Sequence, residues 1–212
     1  MEAAYPWAFS QPPEEEQPVR PLVPSQPPEK QQPQSVATTS GQLARQEGIF
    51  VHYLLDIVGG LPAESRADGL ERVARQASAQ FPLMAEERRL SLASHLVRFM
   101  AQAEFAPLFS DKALSEFQIS GVVGTKTVIG QIDKVVLDDD VIWLVDFKSG
   151  RPQGHNPPAS YVTQMALYHA LLSQIYPDRL VRASLIWVQD FAVTDISAEQ
   201  MTDALATLSH SD

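Results

Sequence analysis

The segment Val141-Ile142-Trp143-Leu144-Val145-Asp146-Phe147-Lys148 constrains the fold more than any other part of the chain. Side chains of a strand alternate between its faces, so Ile142 and Leu144 point one way and Trp143, Val145 and Phe147 the other. A strand that is apolar on both sides has to lie inside a sheet with a covering layer on each face. Yet its end carries Asp146 and Lys148, on the face of Ile142 and Leu144. Charges placed there are costly unless they are paired or bound to a metal, so the strand end demands a chemical explanation.

The residues before it supply the neighbouring strands. From Ala113 to Phe147 β-branched and apolar residues dominate, interrupted at Gly121, Gly124 and Asp138-Asp139-Asp140, which predicts three consecutive antiparallel strands. If Asp139-Asp140 is a two-residue hairpin loop, facing residues have numbers that sum to 279, and Asp133 opposes Asp146. Directly opposed side chains have Cβ atoms about 4.5–5.5 Å apart, a spacing at which two carboxylates can hold one divalent cation. Two readings of the cluster are open. In one, Asp133 and Lys134 cap a hairpin end and Asp146 and Lys148 form a structural ion pair. In the other, the cluster hydrolyses phosphodiesters: an oxygen-ligated cation polarises the phosphate and acidifies water, while the ammonium offsets charge building on phosphorus oxygens. Asp-x-Lys alone favours the first; the register moves the balance toward the second.

Helical periodicity frames this sheet. Ile49, Val51, Leu54, Leu55 and Val58 give Leu43–Val58 an apolar stripe, stopped by Gly59-Gly60 and Pro62. Further helices are predicted around Gly69–Gln80 and Leu83–Ala103, then at Ala159–Ile175 and Ala198–Leu208, with one strand over Val181–Val188. The expected fold is α/β (α+β), a central mixed sheet flanked by helices with an added N-terminal helical layer. Nine of the sixteen prolines fall in residues 1–33 among Gln, Glu and Ser, so residues 1–41 are read as a disordered linker and 42–212 as the folded domain.

Composition excludes several classes of function. With no cysteine, disulfides, thiolate zinc sites and iron–sulfur clusters are ruled out, so any metal sits on oxygen or imidazole. The net charge is −10, of which residues 1–42 hold −3 and the remainder −7. Such a chain does not coat nucleic acid electrostatically, and any DNA it handles is expected to be held mainly by attached domains or partners. No stretch approaches the ~18 apolar residues of a membrane span, and the N-terminus has neither basic start nor apolar core of a secretory signal. A cytoplasmic location without membrane contact is the expectation. Asp138–Asp140 lacks the spacing of a calcium loop, Gly124-Thr125-Lys126-Thr127 lacks the glycine of a nucleotide-binding loop, and no G-x-S-x-G nucleophile elbow occurs.

Beyond the strands, Gln164 and Tyr168 stand four apart in Tyr161-Val162-Thr163-Gln164-Met165-Ala166-Leu167-Tyr168, on one helical face. The series G-Q-I-D at Gly130–Asp133, V-D-F-K-S-G at Val145–Gly150 and Q-M-A-L-Y at Gln164–Tyr168 resembles the PD-(D/E)XK nuclease superfamily, specifically the nuclease domain of the RecB and AddA helicase–nucleases. Upstream, Gly48-Ile49-Phe50-Val51-His52-Tyr53-Leu54-Leu55 is similar to that clade's G-x-x-x-H-x-L-L helix. The resemblance implies that His52, Asp133, Asp146 and the backbone carbonyl of Phe147 bind Mg2+ or Mn2+. Asp133, Asp146 and Lys148 would be catalytic, with Gln164 and Tyr168 completing the site and contacting DNA. Glu116 falls where related proteins often carry an acid on the preceding strand, and a solvated strand face explains it equally. His52 read without the resemblance is a core histidine, and Gln164 with Tyr168 an ordinary packing pair. Ile132 stands where the superfamily's name has proline, a departure common in the RecB-like clade.

The resemblance further implies a metal-dependent deoxyribonuclease, the C-terminal part of an AddA-type chain. Its parent would carry a helicase domain that delivers single strands during double-strand-break repair and recombination, with an AddB-type partner subunit. The competing function is a non-catalytic module that docks DNA or a partner on a nuclease-like fold.

Overall fold

The computed structural model describes residues 21–24, 39–149 and 156–209. Three helices, α1 (Thr39–Gly59), α2 (Arg66–Gln76) and α3 (Glu86–Met100), precede strands β1 (Ala113–Val123), β2 (Lys126–Leu137) and β3 (Val141–Lys148). Helix α4 (Ala159–Ile175) then crosses to β4 (Leu180–Trp187), followed by β5 (Ala192–Ile196) and α5 (Ala198–Ser209). The sheet has spatial order β1-β2-β3-β4-β5, with β3 and β4 parallel and the other pairs antiparallel. It is the expected mixed sheet, and β3 is its central strand.

A separate core lies on each face of β3. Trp143, Val145 and Phe147 pack with Phe50, Leu54, Leu96 and Phe99 of the N-terminal helices, while Ile142 and Leu144 pack with Met165, Tyr168 and Leu172 of α4. Helix α1 is tied to α3 by a two-point ion pair, Arg88 Nε and Nη2 donating to the nearly buried Glu47 carboxylate at 2.6 and 2.9 Å. The buried indole N–H of Trp143 donates to Ser184 Oγ at 2.8 Å, and that hydroxyl donates to Asp195 of β5 at 2.6 Å, so the polar groups of this wall are satisfied.

The β2–β3 hairpin has the predicted loop: Asp138 N–H donates to the Val141 carbonyl, and the rungs Leu137↔Ile142, Val136↔Trp143, Val135↔Leu144 and Lys134↔Val145 all sum to 279. The ladder stops one rung short of Asp133 and Asp146, however. At the same level β1 and β2 both lose their alternation. Ile132 and Val135, three residues apart, face the α4 core together, and Glu116, opposite Asp133, has φ 52° and no rung of its own. A non-glycine residue in the left-handed region is strained, so the break is held in place by its surroundings. Beyond it, residues 117–132 continue as a two-stranded ribbon lying on α4.

Sequence boundaries were close for α4 and α5 and looser elsewhere. Residues 77–80, expected to be helical, form turns, and α3 starts at Glu86 rather than Leu83 because Met84 turns inward, buried, with its N–H on the Phe81 carbonyl. Strand β5 is an addition; its five residues follow a tight turn in which Phe191 takes φ 56°. Leu22, inside the segment expected to be disordered, pairs in parallel with Val128, exchanging backbone hydrogen bonds with Thr127 and Ile129 along the edge of β2 that β3 leaves open. The rest of the predicted linker, residues 1–20 and 25–38, lies outside the described residues. Among the described residues no helix is long and apolar enough to cross a membrane.

Candidate active site

Helix α1 reaches the sheet through a glycine. A Cβ on Gly48 would stand 3.0 Å from Ser149 Cβ, closer than most such contacts, so a glycine here eases the close approach of the helix to the end of β3. One turn later His52 comes down over the strand ends, its ring edge-on to Phe147 and its Nε2 3.9 Å from Asp133 Oδ2. Glu116 completes a group: ligand atoms of His52, Glu116 and Asp133 all lie within 4.8 Å of one another. Glu116 also accepts a short hydrogen bond from Gln131 Nε2.

Asp133 takes over where the ladder stops. Its Oδ2 accepts the Phe147 N–H at 2.7 Å, replacing the backbone acceptor that the next rung would have supplied. Burial and then the charge of Asp146 hold its carboxyl well above the ordinary carboxylate value, against the opposing pull of the Phe147 N–H and Lys148. Asp133 thus stands beside Glu116, His52 and Asp146, with Lys148 as the nearby cation.

Asp146 lies deeper, 2% exposed, in a closed triangle of side chains. Gln164 Nε2 donates to Asp146 Oδ1 at 2.8 Å, Lys148 Nζ donates to Gln164 Oε1 at 2.7 Å, and Lys148 Nζ lies 2.7 Å from Asp146 Oδ2. The anion and the cation together fix which way the Gln164 amide points. The Lys148–Asp146 contact is an ion pair without hydrogen-bond geometry, so Oδ2 is buried with no hydrogen-bond donor. Lys148 also sits over the face of Tyr161, 4.4 Å from the ring centre.

The ladder gives Asp133 and Asp146 no rung of their own, although the register leading to them is the expected one; the first turns to His52 and the Phe147 N–H, the second to Gln164 and Lys148. The DNA contacts expected of Gln164 and Tyr168 are corrected, because they are 3% and 0% exposed. Tyr168 packs under the ribbon, where a Cβ on Gly130 would fall 2.4 Å from its hydroxyl oxygen, which explains the glycine of Gly130-Gln131-Ile132-Asp133.

A sequence profile of the PD-(D/E)XK nuclease superfamily matches residues 30–208. The chain belongs to this superfamily. Asp133 and Asp146-Phe147-Lys148 lie within the matched span and have the residue types of the family's D…DXK pattern, with Ile132 in place of the proline. Among solved structures, the chain is similar to a provisionally named exonuclease of Eubacterium rectale, at 14% identity over 74% of this chain and 64% of that one, with a TM-score of 0.46. It is also similar to the protein SSO0001, at 16% identity over 68% of this chain and 72% of that one, with a TM-score of 0.33. The chain thus spans 64% of the length of the first of these. No curated protein matches it.

The residues of this PD-(D/E)XK site fit a divalent cation. The donor set is imidazole and carboxylate with no sulfur, which suits Mn2+ and Mg2+, and Asp146 Oδ2 is a buried anionic oxygen lacking a donor. Glu116, secondary in the sequence reading, belongs to the central group. The arithmetic that placed Asp133 would have found it: if Gly124-Thr125 is a two-residue loop, facing residues sum to 249, which sets Glu116 opposite Asp133, and the β1–β2 rungs follow that sum. Tyr161 was missed because a cation over a ring depends on where a long lysine side chain comes to rest.

Proposed function

We propose that this domain is a Mg2+- or Mn2+-dependent deoxyribonuclease that hydrolyses phosphodiester bonds. The carrying observation is the meeting of His52, Glu116 and Asp133 beside the Asp146–Gln164–Lys148 triangle. His52, Asp133 and Glu116 would hold the cation from one side, with Asp146 Oδ2 and the Phe147 carbonyl completing the set. When bound, the cation supplies Lewis acidity at the phosphate and acidifies water. The cation's charge favours the ionised form of Asp133, against the burial that raises its pKa. Lys148, held between Gln164, Asp146 and the Tyr161 ring, carries its ammonium to where negative charge builds on the phosphate oxygens.

The resemblance to AddA-type nuclease domains supports a finer reading: cleavage of single strands that a helicase in the parent chain delivers during double-strand-break repair, with an AddB-type partner subunit. The acidic balance of the chain suits a domain whose DNA is held by a larger machine.

Cleavage of a single-stranded oligonucleotide in Mg2+ and in Mn2+ tests the assignment. Asp146→Ala and Lys148→Ala are expected to lower the rate by at least about 100-fold, the scale on which one preorganised electrostatic group acts. Equal rates in the wild type and both variants would remove the assignment.

A further inference from the structure

We infer that the outer face of the β1–β2 ribbon is the track along which a single strand of nucleic acid lies as it enters the site, a proposal that rests on the nuclease reading above. The first observation is electrostatic. Residues 117–132 and 147–177 contain none of the twenty-six acidic side chains, whereas composition alone would place about six in 47 positions. These two segments hold three of the sixteen lysines and arginines, so the chain's −10 divides into +3 here and −13 elsewhere. The segments are also neighbours in space: α4 lies under the ribbon, with Tyr168 against Gly130 and Leu171 against Gly121. Among the described residues, the ribbon and α4 carry no acid, and Glu116, Asp133 and Asp146 stand where they meet the site, with Glu199 and Asp203 on α5 beyond α4. A polyanion meets least repulsion on this route.

The second observation is the face itself. Three rungs of the ribbon point away from α4: Gln118↔Gln131, Ser120↔Ile129 and Val122↔Thr127. Five of the six residues are exposed, Val122 and Ile129 by 54% and 47%, and none is charged. From Glu116 to Val122 the strand advances about 20 Å, enough for several nucleotides. Gln131 ties the platform to the site through its hydrogen bond to Glu116. Among the described residues the ribbon's helical cover is α4, on the opposite face. Uncharged amides and hydroxyls with two apolar side chains offer base edges and base faces a surface without sequence demands.

The test uses the full chain. Val122→Glu and Ile129→Glu each place one acid on the track, and Leu180→Glu adds the same charge at a position 69% exposed at the start of β4, outside both segments. Binding of a fluorescein-labelled oligo(dT) of twenty nucleotides is measured by anisotropy with Ca2+ replacing Mg2+, and cleavage of the same oligonucleotide is compared with hydrolysis of bis(p-nitrophenyl) phosphate. Both ribbon variants are expected to weaken binding and raise KM on the order of 10-fold, with Leu180→Glu and hydrolysis of the small diester unchanged. Oligonucleotide binding unaltered in both ribbon variants, or lost equally in Leu180→Glu, overturns the track, as does a wild type that does not bind the oligonucleotide and leaves the face to a protein partner. A wild type that binds through the ribbon but cleaves neither substrate keeps the track and removes the nuclease reading.

Discussion

Among the described residues, Gln164 is the neutral side chain that touches both charges at the end of β3. Its amide donates a hydrogen bond to Asp146 and accepts one from Lys148, so it bridges the buried pair. Lys148 has another neighbour that carries no formal charge, the Tyr161 ring 4.4 Å from its ammonium. A cation over an aromatic face is worth about 0.5–2 kcal/mol, or roughly 2–30-fold in a rate that depends on holding it there. Tyr161→Phe keeps the ring and is expected to keep the cleavage rate, while Tyr161→Leu is expected to lower kcat within that range and leave KM alone. A change confined to KM in Tyr161→Leu would place the ring in substrate binding instead. Gln164→Glu sets a fourth carboxylate in the site, at hydrogen-bond distance from Asp146, and is expected to lose activity more completely than Tyr161→Leu.

Strand β2 changes role along its length, and Lys134 marks the change. It is a buried ammonium, 4% exposed, whose hydrogen bond goes to Ser115 Oγ at 2.9 Å, with Phe109 beside it. Burial lowers its pKa below the ordinary 10.5. A lysine lowered in the folded state binds its proton less tightly there than in the unfolded chain. It therefore costs stability below the folded value and stops costing it as pH rises from that value towards the ordinary one. Lys134→Met, of similar length and without charge, is expected to match or exceed the wild-type Tm at pH 7, with the gap closing as pH climbs through this window. A variant clearly less stable than wild type at pH 7 would show that the ammonium contributes more through Ser115 than burial costs.

The same strand shows how far a linear reading reaches. Hairpin arithmetic gives the register of β2 and β3 correctly, because loop length and alternation are local properties of the sequence. It gives the burial of Val141–Lys148 on both faces for the same reason. What it cannot give is the break at Glu116 and Asp133, where both strands lose alternation together and a carboxylate replaces a ladder acceptor, because a side chain taking a backbone acceptor's place leaves no periodic signal. Strand β5 escaped because its pairing is fixed from outside, by Asp195 meeting Ser184 and Arg182, and not by an apolar pattern of its own. His52, Asp133, Asp146 and Lys148 were legible as residues, while the split into a His52–Glu116–Asp133 group and an Asp146–Gln164–Lys148 group was not.

For the whole molecule these features meet in its net charge. A chain at −10 brings Glu116 and Asp133 together with His52 and stands Asp146 nearby, its Oδ2 answered by the Lys148 ammonium at 2.7 Å, so one lysine faces three carboxylates at the site. Burial, and after it the charge of Asp146, raise the Asp133 pKa above the ordinary carboxylate value. The folded state then holds the Asp133 proton more tightly than the unfolded chain does. Stability contributed by this group is present below the ordinary carboxylate value of 3.8 and is lost as pH rises through the raised folded value. A divalent cation reverses the sign, since it binds the ionised carboxylate and displaces the proton. In EDTA, wild-type Tm is expected to fall relative to Asp133→Asn as pH rises through that window. The Tm gained on adding Mn2+ is expected to grow over the same window and to be largely absent in Asp133→Asn, because a saturating cation that prefers the folded state stabilises it by a few kcal/mol, about 2.7 at a hundredfold excess over Kd. A Mn2+ gain that is independent of pH, or equal in Asp133→Asn, would mean that the cation binds somewhere other than this site.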